Sequence, residues 1–185
     1  MDLPPLGPVP FVPIPKIFHS AETDQPFDKC ISCSCELGGD GTGYLIEKGF
    51  VKEETAFEYA MCFECHQKIA TELSPASMKR IEHYFGERID LEERRSEITE
   101  RDPKDWEQWI SRCVLSGKEL GDEFQIYGQC DGGDLVLAYL PYAICGEELE
   151  NIAQILSKET RGRIDEFVDD FLGVPGSGLR IPIPL

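Results

Sequence analysis

Residues 27–66 read FDKCISCSCELGGDGTGYLIEKGFVKEETAFEYAMCFECH, and this stretch decides the fold. Cys30 and Cys33 form one C-x2-C turn; Cys62 and Cys65 form another, 32 positions later. Each such turn can direct two sulfurs at one point. Between them lies a glycine-rich segment (Gly38, Gly39, Gly41 and Gly43), flanked by residues 44–50 and 56–61, which read as two strands. From Cys62 the period changes: Cys62, Cys65, Ile69 and Leu73 fall on one helical face. Ser74-Pro75 then breaks that helix and caps a second, which carries Met78, Ile81, Tyr84 and Phe85.

Two C-x2-C pairs with this separation suit one zinc ion held in a closed tetrahedron of four thiolates. The opening turn of a helix favours thiolates at Cys62 and Cys65. A closed set of four leaves no coordination position for a reacting water, so the expected zinc is structural and the chain is expected not to be an enzyme. The order cysteine turn, β-hairpin, helix with the second ligand pair resembles treble-clef zinc fingers over residues 30–73. That resemblance implies a scaffold used for nucleic-acid binding, protein contacts or plain stability. Cys35 and His66 depart from the pattern. A Cys33/Cys35 pair, or His66 in place of Cys65, is an alternative ligand register, and Cys35 is a candidate redox accessory.

A shift of 83 residues lays the second half of the chain on the first without a gap. Cys30 falls on Cys113 and Cys62 on Cys145; Glu36-Leu37-Gly38 falls on Glu119-Leu120-Gly121, and Tyr59-Ala60 on Tyr142-Ala143. Between residues 30 and 85 there are 16 identities in 56 positions, against about 3 or 4 for unrelated chains. The expected fold is therefore α+β: a tandem duplication of one treble-clef-like unit, the first copy zinc-bound and the second degenerate. Ser116 and Glu148 replace Cys33 and Cys65, so Cys113, Ser116, Cys145 and Glu148 mark a vestigial site, either a weak metal site or one filled by packing. The strongest strand signal of the second half is residues 134–140, DLVLAYL, and Cys130 reads as a strand residue.

Around these copies the chain divides into a proline-rich extended arm (1–26), the zinc-binding copy (27–88), a charged connector (89–108), the metal-free copy (109–173) and a proline-rich tail (174–185). Val9, Phe11, Val12, Ile14, Ile17 and Phe18 are too apolar for a spacer and are expected to pack along the body. No apolar run approaches the roughly 20 residues of a membrane span, and no signal peptide is visible, so the reading is a soluble, cytoplasmic protein. Eight cysteines in that setting point to metal rather than disulfides.

The net charge of −17 repels phosphate backbones and suits a basic protein partner. No phosphate-binding glycine loop or nucleophile motif appears. His19, His66 and His83 stand in separate contexts. Three functions are compatible with these features: a protein-interaction or adaptor module, a nucleic-acid-binding regulator that the charge disfavours, and a thiol-based redox or metal sensor. The sequence leaves the oligomeric state open.

Overall fold

The computed structural model describes residues 9–39 and 41–173; the proline-rich tail at 174–185 lies outside the described residues. Its elements run β1 (Phe11–Pro13), β2 (Gly43–Val51), β3 (Glu54–Cys62), α1 (Phe63–Glu72), α2 (Pro75–Gly86), α3 (Leu91–Arg101) and α4 (Trp106–Ile110). The second half continues with β4 (Glu123–Asp131), β5 (Asp134–Val136), β6 (Tyr142–Cys145), α5 (Gly146–Ile155), α6 (Lys158–Phe167) and a π-helical turn, Val168–Leu172. The fold is mixed α+β with one antiparallel sheet in the order β1-β5-β4-β2-β3, and β6 shares the β5 edge of β4.

The β2–β3 hairpin is longer than the sequence predicts, with nine residues in each strand. Its two-residue turn is Lys52-Glu53, both with positive φ (50° and 69°). That conformation usually selects Asn-Gly or Asp-Gly, which is why the turn is invisible to residue type. The DLVLAYL signal is corrected in the other direction: only Asp134–Val136 forms a strand. Pro141 has no N–H to offer a ladder, and Ala138 N–H turns back to Leu140 O. Leu137, Ala138 and Leu140 are nevertheless buried, so the apolar run reports burial rather than pairing.

The two halves share their central strands. β2 and β4 pair antiparallel from Gly43↔Asp131 to Val51↔Glu123. The gapless match does not survive in this hairpin. Tyr44 lies opposite Cys62, whereas Tyr127 lies opposite Tyr142 and Phe124 lies opposite Cys145. The strand position of Tyr44 therefore corresponds to Phe124, three residues earlier than an 83-residue shift places it. The first half has the longer glycine loop, and the second regains the difference between β4 and β6. An odd slip turns a side chain to the other face of a sheet. Tyr44 and Tyr127 accordingly lie on opposite faces of the sheet, and they belong to different apolar clusters.

Outside the hairpin, hydrogen bonds do recur 83 residues later. Ser74 Oγ caps α2 by accepting from Ser77 N–H at 3.1 Å, and Ser157 Oγ caps α6 by accepting from Thr160 N–H at 3.1 Å. The two caps meet: Ser74 N–H donates to Thr160 Oγ1 (3.2 Å) and Ser157 N–H to Ser77 Oγ (2.9 Å). This reciprocal knot satisfies helix-start donors that would otherwise be orphaned. Ser77 and Thr160 are fully buried.

Residues 1–8 of the arm lie outside the described residues; from residue 9 it runs along the body, with Val12, Ile14 and Phe18 buried and Phe11 exposed. β1 pairs with β5 at the sheet edge, a position that tolerates Pro13. Phe18 is fully buried against Gly128, where a Cβ would come within 2.8 Å of its ring. Glu58 fastens the following turn by accepting from Ser20 Oγ (2.9 Å), Ala21 N–H (2.8 Å) and Lys48 Nζ (3.0 Å). Burial alone would raise its pKa, but the Ala21, Lys48 and Ser20 donors outweigh that and hold it below the ordinary 4.5. In the connector, α3 buries no residue. It is still anchored, because Arg94 donates to the carbonyls of Trp109 and Pro141. Among the described residues no helix is long and apolar enough to cross a membrane.

The cap knot carries a quantitative expectation. Ser77→Ala leaves the part-buried Ser157 N–H without its acceptor and should lower unfolding stability by about 1–3 kcal/mol, read by denaturant titration. A change within about 0.5 kcal/mol, the usual cost of an exposed serine, would show that the knot contributes nothing.

Candidate metal centre

The residues from Cys30 to Cys35 form a tight turn. Cys30 N–H donates to Cys35 O and Ser34 N–H to Cys30 O, both at 2.9 Å, and Ser34 takes a left-handed φ of 59°. Ile31 N–H donates to Ala60 O at 2.9 Å, which fixes the turn against β3. Cys62 ends that strand and is the N-cap of α1, and Cys65 sits in the first turn of the helix. Strand, turn and helix start thus converge, and the Sγ atoms of Cys30, Cys33, Cys62 and Cys65 all lie within 4.8 Å of one another. The Cys33–Cys62 sulfur separation is 3.8 Å, close to the roughly 3.7 Å between sulfurs on one tetrahedral zinc. Cys30, Cys62 and Cys65 are buried and Cys33 is exposed. The group can hold a metal ion.

The four thiols are not equivalent. The backbone N–H and then the thiol of Cys35 donate to Cys33 and hold its pKa down to about 6. Burial pushes Cys65 up to about 12, and the hydrogen bond to Cys33 pushes Cys35 up to about 12. Cys33 therefore surrenders its proton before Cys65 does. Metal binding requires all four to do so, and the positive charge supplies the driving force. Cys35 is exposed and lies outside the group of four. His66 also lies outside it, and lines a separate cavity with Glu47 and Tyr59.

The second cysteine turn repeats this backbone but keeps only the sulfur of Cys113. Cys113 N–H donates to Lys118 O, Gly117 N–H to Cys113 O and Val114 N–H to Ala143 O, at 2.8–2.9 Å. Cys145 N–H reaches Cys113 Sγ at 3.4 Å, the same distance as Cys62 N–H to Cys30 Sγ. Ser116 Oγ is 3.9 Å from Cys145 Sγ. Glu148, however, is drawn to α2, where its carboxylate accepts from Tyr84 OH at 2.5 Å. Its neighbour Glu147 meets Lys118 Nζ at 3.0 Å, a surface link between cysteine turn and helix. Leu115 and Leu149 are buried in the surrounding cluster with Cys113 and Cys145. Cys130 is a buried β4 residue whose thiol burial pushes up to about 12.

Two features escaped the sequence reading. Glu47, in the central strand β2, is only 3% exposed. The signal for it was available: an acidic residue directly after the apolar run Tyr44-Leu45-Ile46, in the middle of a strand. A groove of about 300 Å³ also opens between α1 and the chain from α6 to the π-helical turn, lined by Cys65, Ile69, Leu73, Phe167 and Phe171. No local pattern marks a surface made by elements so far apart in the chain. No family model, curated protein or solved structure matches this chain.

The uneven thiols give a direct test on metal-free protein. Iodoacetamide should modify Cys33 before the other three, at a rate that rises as the pH passes about 6 and is low below it, where the thiol keeps its proton. Peptide mapping by mass spectrometry reads the order. Equal labelling of all four, or Cys65 labelled first, would contradict the geometry described.

Proposed function

We propose that Cys30, Cys33, Cys62 and Cys65 bind one structural zinc ion, and that the protein is a non-catalytic, zinc-stabilised interaction module with a cytoplasmic role. The observation that carries the metal is the mutual approach of four sulfurs within 4.8 Å. All-sulfur sets favour zinc among the common non-redox cations. With four protein ligands the ion's work is to join turn, strand and helix.

Tandem duplication accounts for the repeated cysteine turns and for the reciprocal serine knot. On that reading the second copy has exchanged metal for packing around Leu149 and for the Lys118–Glu147 link. The Tyr84–Glu148 hydrogen bond then occupies the fourth ligand position.

The interaction role rests on the groove beside the metal cluster. In the second half the corresponding helices α5 and α2 close on each other: Tyr84 bonds Glu148, and Arg80 donates to Ile155 O at 2.8 Å. Between α1 and α6 the matching space stays open, and Phe171 stands at its edge 39% exposed. Glu72 and Asp170 line it without an ion-pair partner among the described residues. An apolar floor where Glu72, Glu166 and Asp170 outnumber Lys68 and Arg163 suits a partner that presents an apolar anchor beside Lys or Arg, and the net charge of −17 favours its approach. The same charge disfavours a nucleic-acid partner. A second reading, a thiol-based sensor, is favoured by the exposure of both Cys33 and Cys35. Peroxide that ejects the metal at sub-stoichiometric damage elsewhere would select it.

Purified protein should contain about one zinc per chain, and Cys65→Ser should lose it while Cys113→Ser keeps it; metal retained in Cys65→Ser overturns the ligand set. Because β2 and β4 share a ladder, chelation should lower the midpoint of a single thermal transition. A calorimetric trace that splits in two would mean the halves are independent. For the groove, wild type should capture a basic partner that Phe171→Asp does not. Identical capture by both would remove the groove from the account.

A further inference from the structure

On the helix-covered face of the sheet, Tyr59, Glu47 and Tyr127 lie directly opposite one another across β3, β2 and β4. Tyr59 OH donates to Glu47 Oε2. Tyr127 OH donates to Gln125 Oε1 at 2.6 Å. The other oxygen of Glu47, Oε1, is buried and has no protein hydrogen-bond partner. Neither has the buried Nε2 of His66, on the first turns of α1. Both side chains line one small cavity, together with Tyr59, Tyr127, Leu45, Met61 and Leu140. The cavity has about 10 Å³ open to the centre of a water molecule, which is the room one buried water needs. A buried carboxyl oxygen and a buried imidazole nitrogen are each costly to leave unpaired. Two such costs at one water-sized cavity have a common remedy.

We propose that this cavity is a binding site for a single ordered water, which bridges Glu47 Oε1 and His66 Nε2. Burial pushes the carboxyl of Glu47 well above its ordinary pKa, against the opposing hydrogen bond from Tyr59, and so favours its protonated form. Oε2 accepts from Tyr59, which leaves the proton on Oε1 as the donor to the water. The water in turn donates to His66 Nε2, and His66 carries its own proton on Nδ1. The chain Tyr59–Glu47–water–His66 ties the first turns of α1 to the central strand. It also gives His66 a role apart from the metal. The matching position in the second half is Leu149, which is buried with apolar neighbours and needs no water.

A crystal structure of the full zinc-loaded chain at about 1.5 Å, with water-proton relaxation dispersion in solution, tests the site. The expected result is one density peak within hydrogen-bond distance of both atoms, and one long-lived water lost in His66→Leu. Glu47→Gln should keep the peak, because an amide can still bond it. A direct Glu47–His66 hydrogen bond, a collapsed cavity, or an anomalous zinc peak at the site would overturn the proposal. So would an unchanged count of long-lived waters in His66→Leu. If that variant does not fold, the wild-type density and the His66 ring-nitrogen shifts decide, with protonated Nε2 contradicting the assignment.

Discussion

Four thiols held within 4.8 Å of one another are a constraint before they are a site. Three are buried, and one already favours its thiolate near neutral pH. As the other protons leave, negative charge accumulates in a small volume, and only a cation resolves that. The end of β3, the turn at Cys30–Cys35 and the start of α1 are positioned by this convergence. Backbone bonds from Ile31 to Ala60 and from Cys62 to Cys30 Sγ set the approach.

The second half meets the same geometric demand by other means. Its turn and helix start keep their backbone hydrogen bonds and two cysteines, but the other two ligand positions are a serine and an acid turned towards Tyr84, beside an apolar cluster. Since β2 and β4 form the centre of one sheet, neither half is a free-standing body. The cysteine cluster of the first half is tied through this ladder to the faces on which the second half also packs. The buried row Tyr59–Glu47–Tyr127 crosses the same seam, and makes the core partly polar where the halves join.

Much of this was legible in the residues. Cysteine spacing located the metal cluster because a C-x2-C turn is local, and its geometry survives any tertiary context. The serine caps were legible for the same reason. The hairpin register was not. Identities at Tyr44/Tyr127 suggested equivalence, yet pairing put these tyrosines on opposite faces, because loop length sets register and a three-residue change is silent in a helical or cysteine match. DLVLAYL misled because strong apolarity reports burial, and burial does not require a strand. The groove and the Glu47 cavity depend on contacts between α1, α6 and three strands, which no single window of sequence contains.

The account stands or falls on what surrounds the metal. X-ray absorption at the zinc edge of the purified protein measures that shell directly. The account predicts four sulfur scatterers at about 2.3 Å and no first-shell nitrogen or oxygen. A shell of three sulfurs with one nitrogen or oxygen would bring His66 or water onto the ion, and would contradict a closed structural centre made by Cys30, Cys33, Cys62 and Cys65.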